Sequence, residues 1–333
     1  MARCRLRQLR VTVMMPESGQ IEQVASVPKA LAACRLDRAA SVLFPDYSRS
    51  LLTLWIREGR LTIGGRREAP KRKVREGERL CLLPCDSPIE SHAGPEAMDL
   101  SIVYEDEDVL VIDKPAGLVV HPGAGNVHGT LASGLMHHRP ALERLPRAGI
   151  VHRLDAETTG LLVVAASRLA HKTLTHAIAA RLVKREYQAV VEGRMISGRD
   201  FDAPIGRHPA QRTRQAVRED GREALTSVRV AERFRAHSRL HARLHTGRTH
   251  QIRVHLSHAG FPLVGDRKYG ARGILPKSPH DALLAAIQGV TRHMLHAARL
   301  GFAHPRSGDD MAFESPMPAD MESLLQALQA DAA

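Results

Sequence analysis

The chain has 333 residues, with 48 Lys or Arg against 36 Asp or Glu and a formal net charge of +12. At roughly 100–200 residues per domain, this is length for two domains or for one large domain with an appendage. With 43% hydrophobic and 25% charged residues the composition excludes a disordered chain. No uninterrupted apolar run exceeds the six residues of Leu161 to Ala166, far short of the ~18–20 residues of a bilayer span. Val11-Thr12-Val13-Met14-Met15, ended by Pro16, is too short for a signal-peptide core. We expect a soluble cytoplasmic protein with no membrane partner.

Cys4, Cys34, Cys81 and Cys85 are too few for a disulfide scaffold. No second Cys/His pair at zinc spacing follows Cys81 and Cys85, which read as buried thiols near a strand end. The 19 His are scattered, and His250, His255 and His258 match no metal signature, so no metal is expected. Arg outnumbers Lys by 40 to 8, a skew that genome base composition also produces, so net charge alone leaves a polyanionic partner open. Its distribution says more. Residues 1–85 carry a net +9, residues 86–113 a net −9 without a single Lys or Arg, and residues 114–333 a net +12. Pro84, Pro88, Gly94 and Pro95 punctuate the change. The expected division is an N-terminal extension (1–33), a small basic module (34–85), an acidic linker (86–98) and a large basic domain (99–333).

In the small module Leu36, Ala39, Ala40, Leu43 and Phe44 predict a short amphipathic helix closed by Pro45. Ser48 is a candidate N-cap for a second helix carrying Leu51, Leu52, Trp55 and Ile56 and stopped by Gly59. Arg60 to Ile63 alternates as a strand, Gly64-Gly65 turns it, and Val74 to Leu83 can return. Eight cations lie between Arg60 and Arg79. They suit phosphate contacts, which hold an RNA without reading its sequence, or form a merely solvated face. Phe44-Pro45-Asp46-Tyr47-Ser48-Arg49-Ser50 followed by Trp55-Ile56-Arg57-Glu58-Gly59-Arg60 resembles the S4 RNA-binding fold, with Gly64-Gly65 where that family has Asn-Gly. Both pairs accept positive φ angles.

The large domain opens with a predicted hairpin, Ile102-Val103-Tyr104 and Val109 to Ile112 around an acidic turn. Lys114-Pro115-Ala116-Gly117 and His121-Pro122-Gly123-Ala124-Gly125 are loop formers without the spacing of a P-loop or a Rossmann fingerprint, which argues against a nucleotide cofactor. Val151-His152-Arg153-Leu154-Asp155-Ala156-Glu157-Thr158-Thr159-Gly160 then leads into Leu161 to Ala165, a predicted buried strand. A carboxylate one short loop from a core strand is held rigidly, as a catalytic base or nucleophile needs. Equally, Asp155 could cap a turn and pair with a nearby Arg. Leu174, Ile178 and Leu182 predict a helix, Arg185 to Gly193 a strand on which Tyr187 could simply pack, and His241 to His245 another half-buried strand. Thr249 is a candidate N-cap for a helix bearing Ile252 and Leu256 and ended by Gly260 and Pro262. Arg253, beside that apolar stripe, reads as a surface residue or as a partner for a buried carboxylate.

Together these segments resemble the RluA-type pseudouridine synthases, which isomerise uridine within structured RNA. The resemblance rests on Ile150-Val151-His152-Arg153-Leu154-Asp155 with Thr158-Thr159-Gly160, Arg185-Glu186-Tyr187, Gly247 to His255, Leu263-Val264-Gly265-Asp266 and Leu295-His296-Ala297. It runs in order from about residue 35 to residue 325. Ala156-Glu157 and Ala166 depart from the family's commoner residues. Asp46 to Ser50, Val119 to Asn126 and Thr158-Thr159 look most like the D-type group, which implies large-subunit (23S) ribosomal RNA and the uridines of its helix 69 loop. The alternatives are the C-type group and an RNA-binding ribosome-assembly factor without turnover.

The resemblance implies an α+β fold with a mixed, largely antiparallel sheet around a catalytic cleft, preceded by the S4-like module. It also implies that Asp155 acts at the sugar, that Arg253 pairs with it, and that Tyr187 stacks on the uracil and is a candidate for taking the C5 proton. His121, His152, Arg153, Arg248 and Thr249 would touch RNA from the large domain, and Arg49, Arg57, Arg60, Arg66 and Arg67 from the small one. The reaction has no net redox change, so no cofactor is expected, and a monomer suffices. A hydrolase using Asp155 with Glu157 is a weaker reading, since a glycosidase needs two carboxylates at a set separation.

Overall fold

The computed structural model describes residues 12–14, 22–45, 47, 49–84, 94–123, 126–211, 213–270 and 273–332. The chain forms two units, Met1–Ile89 and Glu90–Ala333. No described helix is long and apolar enough to cross a membrane.

The small unit contains β1 (Thr12–Met14), β2 (Glu22–Ser26), α1 (Leu36–Leu43), α2 (Arg49–Glu58), β3 (Leu61–Ile63) and β4 (Arg79–Leu82). Its antiparallel sheet runs β1-β2-β4-β3. Leu36, Ala39, Ala40 and Leu43 fall on one stripe of α1 and are buried, as are Leu52, Trp55 and Ile56 of α2. The two stripes pack with Val27, Leu61, Leu80 and Leu82 into one core. Gly64 and Gly65 have φ of +56° and +80°, and Ile63 and Arg66 exchange both backbone hydrogen bonds at 3.0 Å across them. The turn is therefore as the glycine pair predicts. The return strand is not: β4 starts at Arg79 rather than Val74. The unit also begins ahead of Cys34, because β2 pairs with β4 and buries Val24 and Ala25. Cys81 is half-buried in β4. Cys4, Cys85, Asp46, the Ser48 cap and residues 86–93 of the acidic stretch lie outside the described residues.

The large unit continues with β5 (Ile102–Glu105), β6 (Val109–Lys114), α3 (Leu131–His138), β7 (Thr159–Ala165), α4 (Arg168–Ala179), β8 (Lys184–Glu192), β9 (Arg199–Asp202), β10 (Ile205–Arg207), β11 (Gln215–Val217), β12 (Leu225–Arg233), β13 (His237–Leu244), α5 (Gln251–His258), α6 (Asp281–Gln288), β14 (Leu295–Ala303), β15 (Asp310–Glu314) and α7 (Ala319–Ala332). Its main sheet has the order β5-β6-β7-β14-β8-β13-β12-β9, with β15 also on β14, and β10 and β11 form a separate ribbon. Every pairing is antiparallel except β7 with β14. The fold is α+β with a mixed, largely antiparallel sheet.

All of β7 is buried, which accounts for its unbroken apolar run. Leu162 and Val164 face a core shared with α3, α5 and β8, whereas Leu161 and Val163 face Ala170 and Leu174 of α4. Leu182, expected on that helix, lies beyond its end and is 67% exposed. The β7–β14 ladder is short, joining only Thr159 with His296 and Gly160 with Ala297. Gly160 has φ +107°, and a Cβ there would sit 2.3 Å from the Ala297 carbonyl oxygen, so only glycine lets the strands meet. Beyond this point β15 takes over the edge of β14, from Arg299 to Ala303, and the sheet splits.

Candidate active site

Asp155 stands on the turn that enters β7 at this split, and the residues after it are held from several parts of the chain. Lys114, fully buried at the end of β6, donates from Nζ to the carbonyls of Pro115 (2.6 Å), Leu118 (3.0 Å) and Ala156 (2.7 Å). Arg292, itself paired with Asp320, donates to the Glu157 carbonyl at 3.3 Å. Thr158 Oγ1 meets His293 Nε2 at 2.7 Å, and Thr159 Oγ1 meets His296 Nδ1 at 2.9 Å. Residues 292–296 lead into β14, so the turn is fastened to the neighbouring strand of the sheet. The carboxylate is therefore pre-positioned.

Its two oxygens have different surroundings. Oδ2 accepts from Arg253 Nη1 at 2.9 Å, while Oδ1 faces His250 Nε2 at 3.9 Å. Arg253 does not lie on the surface. It is buried on α5 and forms a two-pronged pair with Asp266 through Nε (2.8 Å) and Nη2 (2.9 Å). Asp266 also accepts from the backbone N–H groups of Lys268 and Tyr269, at 3.0 Å each. Burial pushes the Asp155 carboxyl up, but His250 and Arg253 outweigh it, so the group stays below its ordinary value and ionised at neutral pH. Asp266 behaves likewise, with burial overcome by Arg253. Arg253 is lowered by burial and raised more by its two carboxylates, so it remains charged.

Tyr187 projects from β8 and is 5% exposed, with small Ala242 and Ala297 opposite it on the two neighbouring strands. Burial, with Asp155 adding and Arg185 subtracting, pushes its phenol up to about 12. Tyr187, Asp155 and Arg253 line one open cleft together with Leu154, Leu244, His250 and Arg248.

Of the residues expected to touch RNA, Arg248 lines this cleft, tethered by Nε to the Glu223 carbonyl at 2.8 Å. Thr249 is exposed beside it but is not the helix cap. That position is His250, in the left-handed region with φ 57°. His152 does not line the cleft. Its Nε2 accepts the Val163 N–H at 3.1 Å, which β14 no longer meets, and its Nδ1 is buried without a partner among the described residues. Burial, then Arg185, push its pKa down to about 3, so the ring is neutral and braces the split strand. Arg153 is exposed, and His121 is half-buried and held down to about 4 by burial and then by Arg147 and Arg153. In the small unit Arg57, Arg66 and Arg67 are exposed, Arg60 pairs with Glu58 at 3.3 Å, and Arg49 is drawn onto Asp37 at 2.8 Å.

Sequence reasoning assigned no role to Lys114, His250, Asp266 or Tyr269. His250 and Asp266 stand inside segments that carry the family resemblance, and a buried lysine at the end of a strand that begins Val-Leu-Val-Ile is a detectable signal. Tyr269 gave none.

The RNA pseudouridylate synthase family pattern matches residues 108–258. The chain is 49% identical over 315 residues to the ribosomal large subunit pseudouridine synthase D of Yersinia pestis, covering 94% of this chain and 96% of that one. With the enzyme of the same description from Xanthomonas campestris it shares 48% over 309 residues, covering 93% of each. Among solved structures, the human RNA pseudouridylate synthase domain containing 1 superposes with a TM-score of 0.51 at 26% identity, over 70% of this chain and 95% of that one. On these likenesses and this fold, the chain belongs to the RluA family of RNA pseudouridine synthases, with the D-type large-subunit enzymes.

Proposed function

We propose that this isomerase acts on uridines in the helix 69 loop of 23S ribosomal RNA, with Asp155 carrying out the step at the sugar. The observation that carries the role of Asp155 is the asymmetry of its carboxylate. One oxygen is bound by a clamped Arg253, and the other is open to the cleft. Breaking N1–C1′, turning the uracil and joining C5 to C1′ needs an ionised oxygen at the sugar. Oδ1 serves whether it bonds to C1′ or removes the C2′ proton. The large-subunit substrate is supported by relatives of 45–49% identity that bear that description over about 94% of the chain. The helix 69 loop rests on the D-type likeness of Val119 to Asn126 and Thr158-Thr159.

The target base must leave its stack, at a cost of a few kcal/mol. Tyr187 offers it a buried aromatic face. A phenol near 12 is protonated in the free enzyme, which suits stacking on an incoming base rather than standing ready as a phenolate. Exposed Arg153 and Thr249 and half-buried Arg248 of the cleft wall, with His121 near Arg153, would hold the flanking backbone. The small unit, read as S4-like, adds phosphate contacts through Arg57, Arg66 and Arg67, and secondarily through Arg60 and Arg49. With 11 aromatic residues in the chain, recognition of a folded stem-loop by shape fits better than extended stacking. The enzyme works as a cytoplasmic monomer without a cofactor.

The test is a helix 69 transcript carrying tritium at uridine C5, incubated with the parent protein and with Asp155→Asn. Tritium release by the parent alone, from that loop, is expected. Release by Asp155→Asn removes this carboxylate from the mechanism, and release from another stem instead relocates the substrate.

A further inference from the structure

Most polar groups lining the cleft are already engaged within the protein. Thr158 Oγ1 is bound to His293, both ends of the Gln251 amide are occupied, and all three nitrogens of Arg253 are held by carboxylates. His250 differs. The Gln215 backbone N–H donates to the Tyr269 hydroxyl at 2.9 Å, and that hydroxyl is 2.6 Å from His250 Nδ1. Nδ1 is the one acceptor for the hydroxyl's own hydrogen among the described contacts, so the bond is assigned with the hydroxyl donating to Nδ1. The ring proton must then reside on Nε2. Burial and the cations Arg253 and Lys268 keep the ring neutral against the pull of Asp155 and Asp266. The Nε2–H stands 3.9 Å from Asp155 Oδ1, too far to bond, so each group is left to meet a different atom of a substrate lying against both. The left-handed backbone of His250 (φ 57°, ψ 24°) is a conformation that a non-glycine residue keeps where its surroundings hold it there.

We propose that His250 is a catalytic residue whose Nε2–H donates a hydrogen bond to the uracil oxygen nearest the sugar, O2 while N1–C1′ breaks and O4 while C5–C1′ forms. The proposal rests on the reading of Asp155 above. On cleavage the bonding pair leaves with the ring, and the negative charge spreads from N1 onto O2 and O4. C1′ is satisfied by Asp155 Oδ1, which bonds to it or takes the C2′ proton. Turning the base about its N3–C6 axis exchanges N1 with C5 and O2 with O4. One fixed donor beside C1′ therefore meets a carbonyl oxygen in both halves of the reaction. C5 then bonds to C1′, Asp155 is released or returns the C2′ proton, the C5 hydrogen departs to solvent as a proton, and N1 takes up one proton from solvent, so the product is an isomer of the substrate. His250 keeps its own proton throughout, as a neutral imidazole acting as an electrophile does. Tyr269 is a positioning residue that fixes the tautomer.

His250→Asn tests this, because Asn tolerates the left-handed backbone and is too short to reach the substrate. With the variant shown folded by circular dichroism, turnover of the helix 69 transcript should fall about 100- to 1000-fold, as for loss of one oxyanion donor. RNA affinity should hold within about threefold. A transcript carrying 5-fluorouridine, whose base leaves as a more stable anion, should show a deficit in substrate consumption at least ~10-fold smaller, which a merely structural role would not produce. Tyr269→Phe should lose part of the activity and, by nitrogen NMR, let the His250 proton divide between the two ring nitrogens. An equal deficit on both bases overturns the proposal. So does full turnover in His250→Asn beside an inactive Asp155→Asn. Turnover retained by Asp155→Asn takes down the reading of that carboxylate and this proposal together.

Discussion

Replacing Arg253 by Ala should destabilise the large unit by about 3–5 kcal/mol at neutral pH, the cost of stripping one partner from a buried ion pair. Arg253 is 8% exposed and donates three hydrogen bonds of 2.8–2.9 Å to Asp155 and Asp266, and the Asp266 side chain has no exposure at all. At about 2–4 °C per kcal/mol, the melting temperature should drop on the order of 10 °C. The pH dependence distinguishes this cause from a simple cavity. In the parent, Asp155 and Asp266 titrate below their ordinary value of 3.8, so their stabilising contribution is complete above the unfolded-state pKa and is lost as pH falls through the folded one. In the variant, burial of Asp266 is opposed chiefly by the backbone N–H groups of Lys268 and Tyr269, and its folded pKa is expected to rise above that of the unfolded chain. The buried charge then costs stability at pH 7, and the cost disappears once the carboxyl is protonated. The gap between parent and variant should therefore be widest near neutrality and close below about pH 4. Urea unfolding followed by far-ultraviolet circular dichroism is the assay, since the one tryptophan, Trp55, belongs to the small unit. Asp266→Ala added to Arg253→Ala should restore part of the loss. A deficit below about 1 kcal/mol, or one unchanged between pH 4 and 7, refutes the reasoning.

Lys114→Met should lower turnover far more than RNA affinity, because the carbonyls of Pro115, Leu118 and Ala156 lose their common donor and the Asp155 turn loosens. Burial holds Lys114 down to about 8, below its unfolded value, so between about pH 8 and 10.4 the unfolded chain binds more protons and parent stability should rise with pH. Urea titrations across that window should find this rise reduced in the variant. Gly160→Ala, with its Cβ 2.3 Å from the Ala297 carbonyl, should cost more than about 4 kcal/mol or fail to fold, read from its melting curve. Changing Arg57, Arg66 and Arg67 together to Gln should weaken binding and flatten the slope of log affinity against log salt by about 2. An unchanged slope means this face does not meet the RNA.

Helices and strands with a periodic apolar pattern could be read from the sequence. The stripes of α1 and α2, the alternation of β13 and the unbroken run of β7 each appear in the burial pattern. Where the pattern is thin, reading stopped. β2 is a polar pentapeptide whose pairing with β4 depends on residues more than fifty positions away. Leu182 fits a helical period, yet the chain turns through Arg181, with φ +63°, before reaching it. The site divides in the same way. Asp155, Tyr187 and Arg253 stood out by residue type and motif. Asp266 as the clamp of Arg253, Lys114 as the anchor of Ala156, and His293 as the partner of Thr158 did not, because each contact joins separate segments of the chain. Periodicity carries no information about such pairs.

The split of the sheet explains why the Asp155 carboxylate stands where it does. Were β7 paired with β14 along its length, the turn before it would be an ordinary strand entry. Instead the parallel ladder spans two residue pairs, made possible by Gly160, and β15 then takes the edge of β14. The freed edge of β7 is covered by residues just ahead of Asp155, through the Ile150–Val164 bridge and the bond from Val163 to His152. The segment carrying Asp155 is thus part of the sheet rather than a loop above it. It is fastened to β7 on one side of the turn and to the approach to β14 on the other. Such a mounting lets a carboxylate be desolvated, kept ionised by one arginine and still leave an oxygen facing the cleft. Mobility in that turn would let Asp155 swing wholly onto Arg253 and close the oxygen that faces the cleft. In the mechanism proposed for Asp155, the rigidity of the split is in this sense part of the chemistry.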